Sequence, residues 1–169
     1  RITGLPPAQV TPDAAALRRI TAERERLAAV RLVDSAQTGF AEPLAWPARG
    51  RISGVFGSQR ILNGQPRQPH YGFDIAAPTG TPVAAALGGR VTLSGAYFFF
   101  GNLLVVDHGH GVNTLYAHLS ERGVAEGETV ARGQPIGKVG ATGRVTGPHL
   151  HFSLSWYQTW LDPQPLLDS

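Results

Sequence analysis

The chain has 169 residues, 15 basic and 12 acidic, for a net charge of +3: enough for one domain with a modest appendage and a hydrophobic core of its own. Its basic residues are scattered, Lys138 is the only lysine, and no aromatic interleaving accompanies them, which excludes a nucleic-acid platform. No apolar run approaches about eighteen residues, which excludes a membrane-spanning helix.

Two segments separate along the chain, 1–50 and 51–169. Residues 1 to about 10 are Pro-rich and read as a tail. Thr11-Pro12-Asp13 then reads as a helix start, with Thr at the N-cap, Pro at the first helical position and Asp at the positive dipole end. The run from Ala14 to about Val33 follows as a helix, with Leu17, Ile20, Leu27 and Val30 near one stripe and Arg18 and Glu25 opposite. Gln37 to Gly50, with Gly39, Pro43 and Pro47, reads as an extended connector. Residues 51–169 are expected to form short strands punctuated by glycine. The candidates are Thr81–Ala86, Gly89–Ser94, Asn102–Asp107, Asn113–His118, Gln134–Gly140 and His149–Leu154. Strands this closely spaced favour a mainly β, antiparallel sheet or sandwich over βαβ units. An internal echo runs through them. Pro78–Val83 before Gly89-Arg90-Val91 matches Ala125–Val130 before Gly137-Lys138-Val139.

The histidines carry the chemistry. His149 and His151 are two apart and share one face of a strand, while His70 and Asp74, four apart, share a face in strand or helix. Such donors suit zinc, and three protein ligands leave a fourth position open, as catalytic zinc requires. With His70, Asp74 and His151 on a metal, His149 lies beside it and is not needed as a ligand. His118, in Tyr116-Ala117-His118-Leu119, is a further imidazole for moving protons. His108 and His110 sit in a Gly-rich segment that reads as a hairpin turn, structural or exposed.

In order and spacing, HxxxD, YAHL and GxxTGPHLHF resemble the lysostaphin-type (LytM-like) zinc metallopeptidases, which cut peptide bonds in bacterial peptidoglycan. The resemblance spans about Arg51 to Leu166. It implies a duplicated sandwich-like sheet, one zinc per chain on His70, Asp74 and His151, and two catalytic histidines, His118 and His149. It also implies peptidoglycan stem peptides or cross-bridges as partner and an exported location, periplasm or cell envelope. The absence of cysteine fits an oxidising compartment. The chain opens at Arg1 and contains no methionine, so a signal or anchor removed earlier is expected to have preceded it. With no HExxH helix to supply a glutamate base, imidazole must fill that part.

The segment Phe56–Arg60 and Asn63–Pro69 resembles members acting on D-alanyl–diaminopimelate cross-links more than glycyl-glycine cutters. Arg60 and Arg67 are the candidates for meeting substrate carboxylates. Two other readings stand beside hydrolysis. One is a wall-binding or amidase-activating module, since some relatives lose ligands and persist as activators. The other is a sugar-transport phosphocarrier domain, which leaves His70 and Asp74 unexplained. Latent members of the family plug the zinc with an upstream asparagine. Residues 1–50 contain neither Asn nor His, so that segment is expected not to ligate the metal. Its helix is expected to pack on a neighbouring surface or cover the groove, or to receive a regulatory partner. Of the remaining aromatics, one or two of Tyr97–Phe100 are expected in the core and the rest along a groove wall. Trp156, Tyr157 and Trp160 are expected under the sheet. Gly140–Gly143 is expected as a tight turn beside an extended substrate.

Overall fold

A computed structural model describes residues 14–54, 59–62, 65–69, 72–157 and 159–167, with the backbone alone for 59–62 and 65–69. The expected tail and the helix start at Thr11–Asp13 lie outside the described residues. Helix α1 spans Ala14–Arg31. The strands follow as β1 (Arg51–Gly54), β2 (Gln59–Leu62), β3 (Gln65–Pro69), β4 (Phe73–Ala76), β5 (Pro82–Ala84) and β6 (Gly89–Tyr97). After these come β7 (Gly101–Asp107), β8 (Val112–Arg122), β9 (Thr129–Val130), β10 (Pro135–Val139), β11 (His149–Trp156) and β12 (Thr159–Leu161). The main sheet runs β1-β4-β11-β8-β7-β6-β9, every pairing antiparallel, while β2 and β3 form a separate hairpin. The mainly β architecture with one N-terminal helix is as expected.

Alternation along each strand divides the sheet into two faces. Phe73 and Ile75 on β4, Leu104 and Val106 on β7, Tyr116 on β8, and Leu150, Phe152 and Leu154 on β11 pack into one buried cluster. The opposite face carries Leu93, Leu103, Val105, Leu115 and Ala117, covered by Leu27 and Val30 of α1. Asp74, His149 and His151 alternate with residues of the first cluster and so emerge on the helix-covered face. The helix closes the β6–β7 side of that face and leaves the β4–β11 side to these polar residues.

The helix departs from its expected stripe. Ile20, Leu27 and Val30 are buried, but Leu17 is 52% exposed. Polar contacts complete the docking: Arg19 donates to Ala96 O, Arg26 pairs with Glu126 at 2.8 Å, and Glu23 Oε1 accepts Phe98 N–H at 2.8 Å. The connector from Gln37 to Gly50 lies along the sheet. Ala45 N–H donates to Ala86 O, Ala84 N–H donates to Pro47 O, and Leu44 and Ala48 join the first cluster.

The internal echo becomes a strand exchange. The short strand of the first unit, β5, pairs with β10 of the second, and the short strand of the second, β9, pairs with β6 of the first. Gly137 faces Val83 and Gly89 faces Val130, positions that the echo aligns. The flanking bonds repeat too: Gly80 N–H to Val139 O and Gly127 N–H to Val91 O are both 2.8 Å, as are Val139 N–H to Thr81 O and Val91 N–H to Glu128 O.

His108 is structural, as expected, and fully buried. Ala86 N–H donates to Tyr116 Oη at 2.9 Å, Tyr116 Oη and Thr114 Oγ1 are 2.7 Å apart, and Thr114 Oγ1 lies 2.7 Å from His108 Nε2. His108 Nδ1 lies 2.8 Å from Gly88 O, a pure acceptor, so Nδ1 carries the proton and Nε2 accepts from Thr114. Burial lowers the His108 pKa to about 4 and raises that of Tyr116 to about 12, so both are neutral. His110 sits at the exposed turn tip, its ring 5.2 Å from Phe40 and 3.8 Å from Asp34.

The aromatics divide unevenly. Tyr97 and Phe100 pack against the helix-side cluster, as does Trp160, whose ring lies 4.0 Å beneath the Arg31 guanidinium. Trp156 is 52% exposed, contrary to the expectation that it packs under the sheet. It is the last residue of β11, and the core on that face ends at Leu154.

Candidate active site

β4 and β11 pair with Asp74 directly opposite His151, and β8 places Ala117 on the other side of His151. That register brings residues 77 apart in sequence into contact: His151 Nδ1 lies 3.0 Å from Asp74 Oδ1. His149 leaves β11 on the same face, its Nε2 3.8 Å from the same oxygen. The His118 ring centre is 5.0 Å from that of His149 and 6.2 Å from that of His151. Four of the expected site residues therefore converge. His70 lies outside the described residues, as do the side chains of Arg60 and Arg67, which belong to β2 and β3.

His118 reaches the cluster through a break in β8. Up to Ala117 that strand pairs with β11, and from Leu119 onward with β10. On the β7 side, Leu104–Tyr116 and Asn102–Leu119 are partners, so β8 carries one extra residue there. His118 sits at this handover with φ +65°, an uncommon backbone for a residue with a Cβ, and its N–H donates to Phe100 O at 2.7 Å. Its Nδ1 lies 2.8 Å from Thr142 O. A carbonyl can only accept, so Nδ1 is protonated and Nε2 is the nitrogen turned the other way. His149 is oriented alike, Nδ1 lying 3.1 Å from Gly147 O. Its Nε2 is buried and has no hydrogen-bond partner among the described residues.

Sequence reasoning missed the residues that hold these rings. Thr142 Oγ1 donates to Leu119 O at 2.7 Å and accepts Asn102 N–H at 3.0 Å, fixing the carbonyl that receives His118. The only sequence signal was the glycines around it, which indicated a turn. Ser153 Oγ lies 2.9 Å from His151 Nε2, and the Phe100 ring is centred 6.2 Å from that of His151. We expect Thr142→Val to lower the unfolding free energy by about 1–3 kcal/mol, because it takes away the acceptor of the Asn102 N–H and one of the two donors to the Leu119 carbonyl, the other being Asn102 Nδ2. Thr142→Ser, keeping the hydroxyl, should stay near wild type, and denaturant titration of both variants checks this.

The donor set suits a divalent metal in chemistry and space. A carboxylate oxygen and imidazole nitrogens meet in a buried corner. A Cβ at Gly54 would come within 2.9 Å of Asp74 Oδ2, and one at Gly72 within 3.0 Å of His151 Cε1, so glycine keeps the backbone close around both side chains. Among the described residues alone, no group of three or more His, Asp or Glu is arranged to hold a metal.

Residues 68–163 match Peptidase family M23, and the chain belongs to that family. It is 44% identical over 125 residues to the DD-carboxypeptidase/endopeptidase Mpg of Neisseria meningitidis, covering 74% of this chain and 27% of Mpg. It is 43% identical over 122 residues to the peptidoglycan DD-endopeptidase ShyA of Vibrio cholerae, covering 72% and 28%. It is also 37% identical over 122 residues to the murein hydrolase activator EnvC of Escherichia coli, covering 72% of this chain and 28% of EnvC. The chain thus spans about a quarter of the length of the curated relatives it matches. Among solved structures, a peptidase M23 of Pseudomonas aeruginosa superposes with a TM-score of 0.79 at 39% identity, covering 89% of this chain and 61% of that one. A zinc-containing peptidase of Vibrio cholerae gives 0.67 at 35%, covering 72% and 39%. The catalytic domain of lysostaphin from Staphylococcus simulans gives 0.61 at 33%, covering 69% and 90%.

Proposed function

We propose that this chain is a zinc-dependent endopeptidase acting on bacterial peptidoglycan, with D-alanyl–diaminopimelate cross-links as its substrate, in the periplasm or cell envelope. The observation that carries the reading is the buried Nε2 of His149, without a hydrogen-bond partner among the described residues and 3.8 Å from the carboxylate that also meets His151. A structural histidine in a core finds partners, as His108 does. His70, Asp74 and His151 would hold one zinc ion. Zinc bound there supplies Lewis acidity and acidifies water.

The protein's own part is proton management. His118 and His149 each give Nδ1–H to a backbone carbonyl, so each presents Nε2 as its working nitrogen. Neutral, that nitrogen takes a proton from the attacking water. Protonated, it stabilises negative charge on the carbonyl oxygen or returns the proton to the leaving amine. Residues 51–169 carry the peptidase site in this reading, and 1–50 form the linker and helix, whose outer surface is where a regulatory protein would act. Arg60 and Arg67, on the β2–β3 hairpin inserted between β1 and β4, are the proposed contacts for substrate carboxylates.

Relatives named DD-endopeptidases support hydrolysis, while the similarity to EnvC favours a second reading as an activator of other wall hydrolases. Convergence of Asp74, His118, His149 and His151 supports the first. Metal analysis of the chain purified without chelator should give one zinc per chain, and incubation with purified cross-linked muropeptides should release free amines. Full zinc stoichiometry in Asp74→Ala would refute the ligand assignment. Zinc uptake without any cleavage would leave the activator reading.

A further inference from the structure

His151 uses its two ring nitrogens on opposite sides. Nδ1 lies 3.0 Å from Asp74 Oδ1, and Nε2 lies 2.9 Å from Ser153 Oγ. Ser153 follows by two residues on β11 and therefore leaves the sheet on the same face. Both residues are deep, His151 7% exposed and Ser153 1%. Their cross-strand neighbours on β8 are Ala117 and Leu115, which bring no polar side chain to the ring. Gly72 closes the other side: a Cβ there would fall 2.6 Å from Ser153 Oγ, 3.0 Å from His151 Cε1 and 2.3 Å from Phe152 O. The hydroxyl and the ring are thus wedged together between two strands.

A histidine that binds metal through one nitrogen needs an acceptor for the proton on the other, which fixes the tautomer and ring direction and raises ligand basicity. A hydroxyl suits this buried position, since it accepts a hydrogen bond without bringing a charge into an apolar surrounding. We propose that Ser153 is a positioning residue of the zinc site. Its Oγ accepts the His151 Nε2–H and holds the ring in the tautomer whose Nδ1 lone pair points to the Asp74 side. The inference rests on the proposed zinc site and deepens it.

The test uses residues 1–169 as wild type and Ser153→Ala, with zinc affinity read by competition against a chromophoric chelator. The folding of each metal-free protein is monitored by thermal unfolding. Loss of the acceptor should weaken zinc binding about 10–100-fold. Long-range proton–nitrogen NMR of zinc-loaded wild type should show His151 protonated at Nε2, and this measurement decides the matter even if Ser153→Ala does not fold. Equal affinity in a folded Ser153→Ala protein, or a His151 proton on Nδ1, overturns the proposal. A wild-type chain that takes up no zinc overturns the zinc site itself, a result distinct from equal affinities.

Discussion

His118→Ala and His149→Ala should each lower muropeptide hydrolysis by about two to four orders of magnitude while leaving most of the zinc bound. A loss of that size corresponds to about 3–5 kcal/mol of transition-state stabilisation. His151→Ala should lose both metal and activity. The three imidazoles lie within one cluster, so proximity alone does not separate them. Their hydrogen bonds do. His118 and His149 hold Nδ1 against backbone carbonyls and leave Nε2 free of that bond, whereas His151 meets the Asp74 carboxylate at hydrogen-bond distance through Nδ1. The His118 backbone, held at φ +65° across the handover in β8, points to the same conclusion, because such strain gathers at functional positions. Zinc stoichiometry and kcat/KM measured on the same preparations check the split. If His149→Ala emptied the site while His151→Ala kept its zinc, the two roles would be reversed.

The second large effect is on stability against pH. His108 is neutral in the fold because burial holds its pKa at about 4, against 6.5 for an exposed imidazole, with neighbouring Asp107 and the bond to Gly88 opposing that shift. Between those values the unfolded chain binds a proton that the native chain refuses, so stability rises with pH across this window. The contribution is fully present above pH 6.5, falls as pH drops, and is lost by about pH 4, a change of about 3 kcal/mol. Charging this ring would also break the Thr114–Tyr116 relay beneath β8. Urea unfolding of wild type and His108→Gln from pH 4 to 8 provides the comparison. The wild-type advantage should be constant above pH 6.5 and shrink below it. Parallel curves down to pH 4 would show that His108 does not carry the effect.

Local rules made several of these features legible in the sequence. The placement of His149 and His151 on one face follows from strand periodicity, and β6, β7, β8 and β10 follow from short apolar runs with β-branched residues beside glycine. The strands at Arg51–Gly54, Phe73–Ala76 and Thr129–Val130 are too short to carry a periodic signal. Asp74 opposite His151 is a matter of register, which long-range pairing sets. Thr142 holds His118 through its backbone carbonyl, an atom every residue has, so no residue type announces it. Ser153 follows the HxH pattern as an ordinary polar strand residue, and only the 2.9 Å contact gives it a task. Leu17 fits a helical stripe by spacing yet faces solvent, because spacing describes the helix alone and not what packs against it.

The reciprocal pairing of β5 with β10 and β9 with β6 means that neither repeat is self-sufficient. A single unit would carry one short strand with nothing to pair with and one long strand lacking a neighbour. Two separate copies, each lending its short strand to the other, would cure both defects, which is the arrangement of a domain-swapped homodimer. The present chain holds the same reciprocal pairing within one polypeptide. Its folding must therefore wait for the second half to be made, since contacts across about fifty residues close both units together.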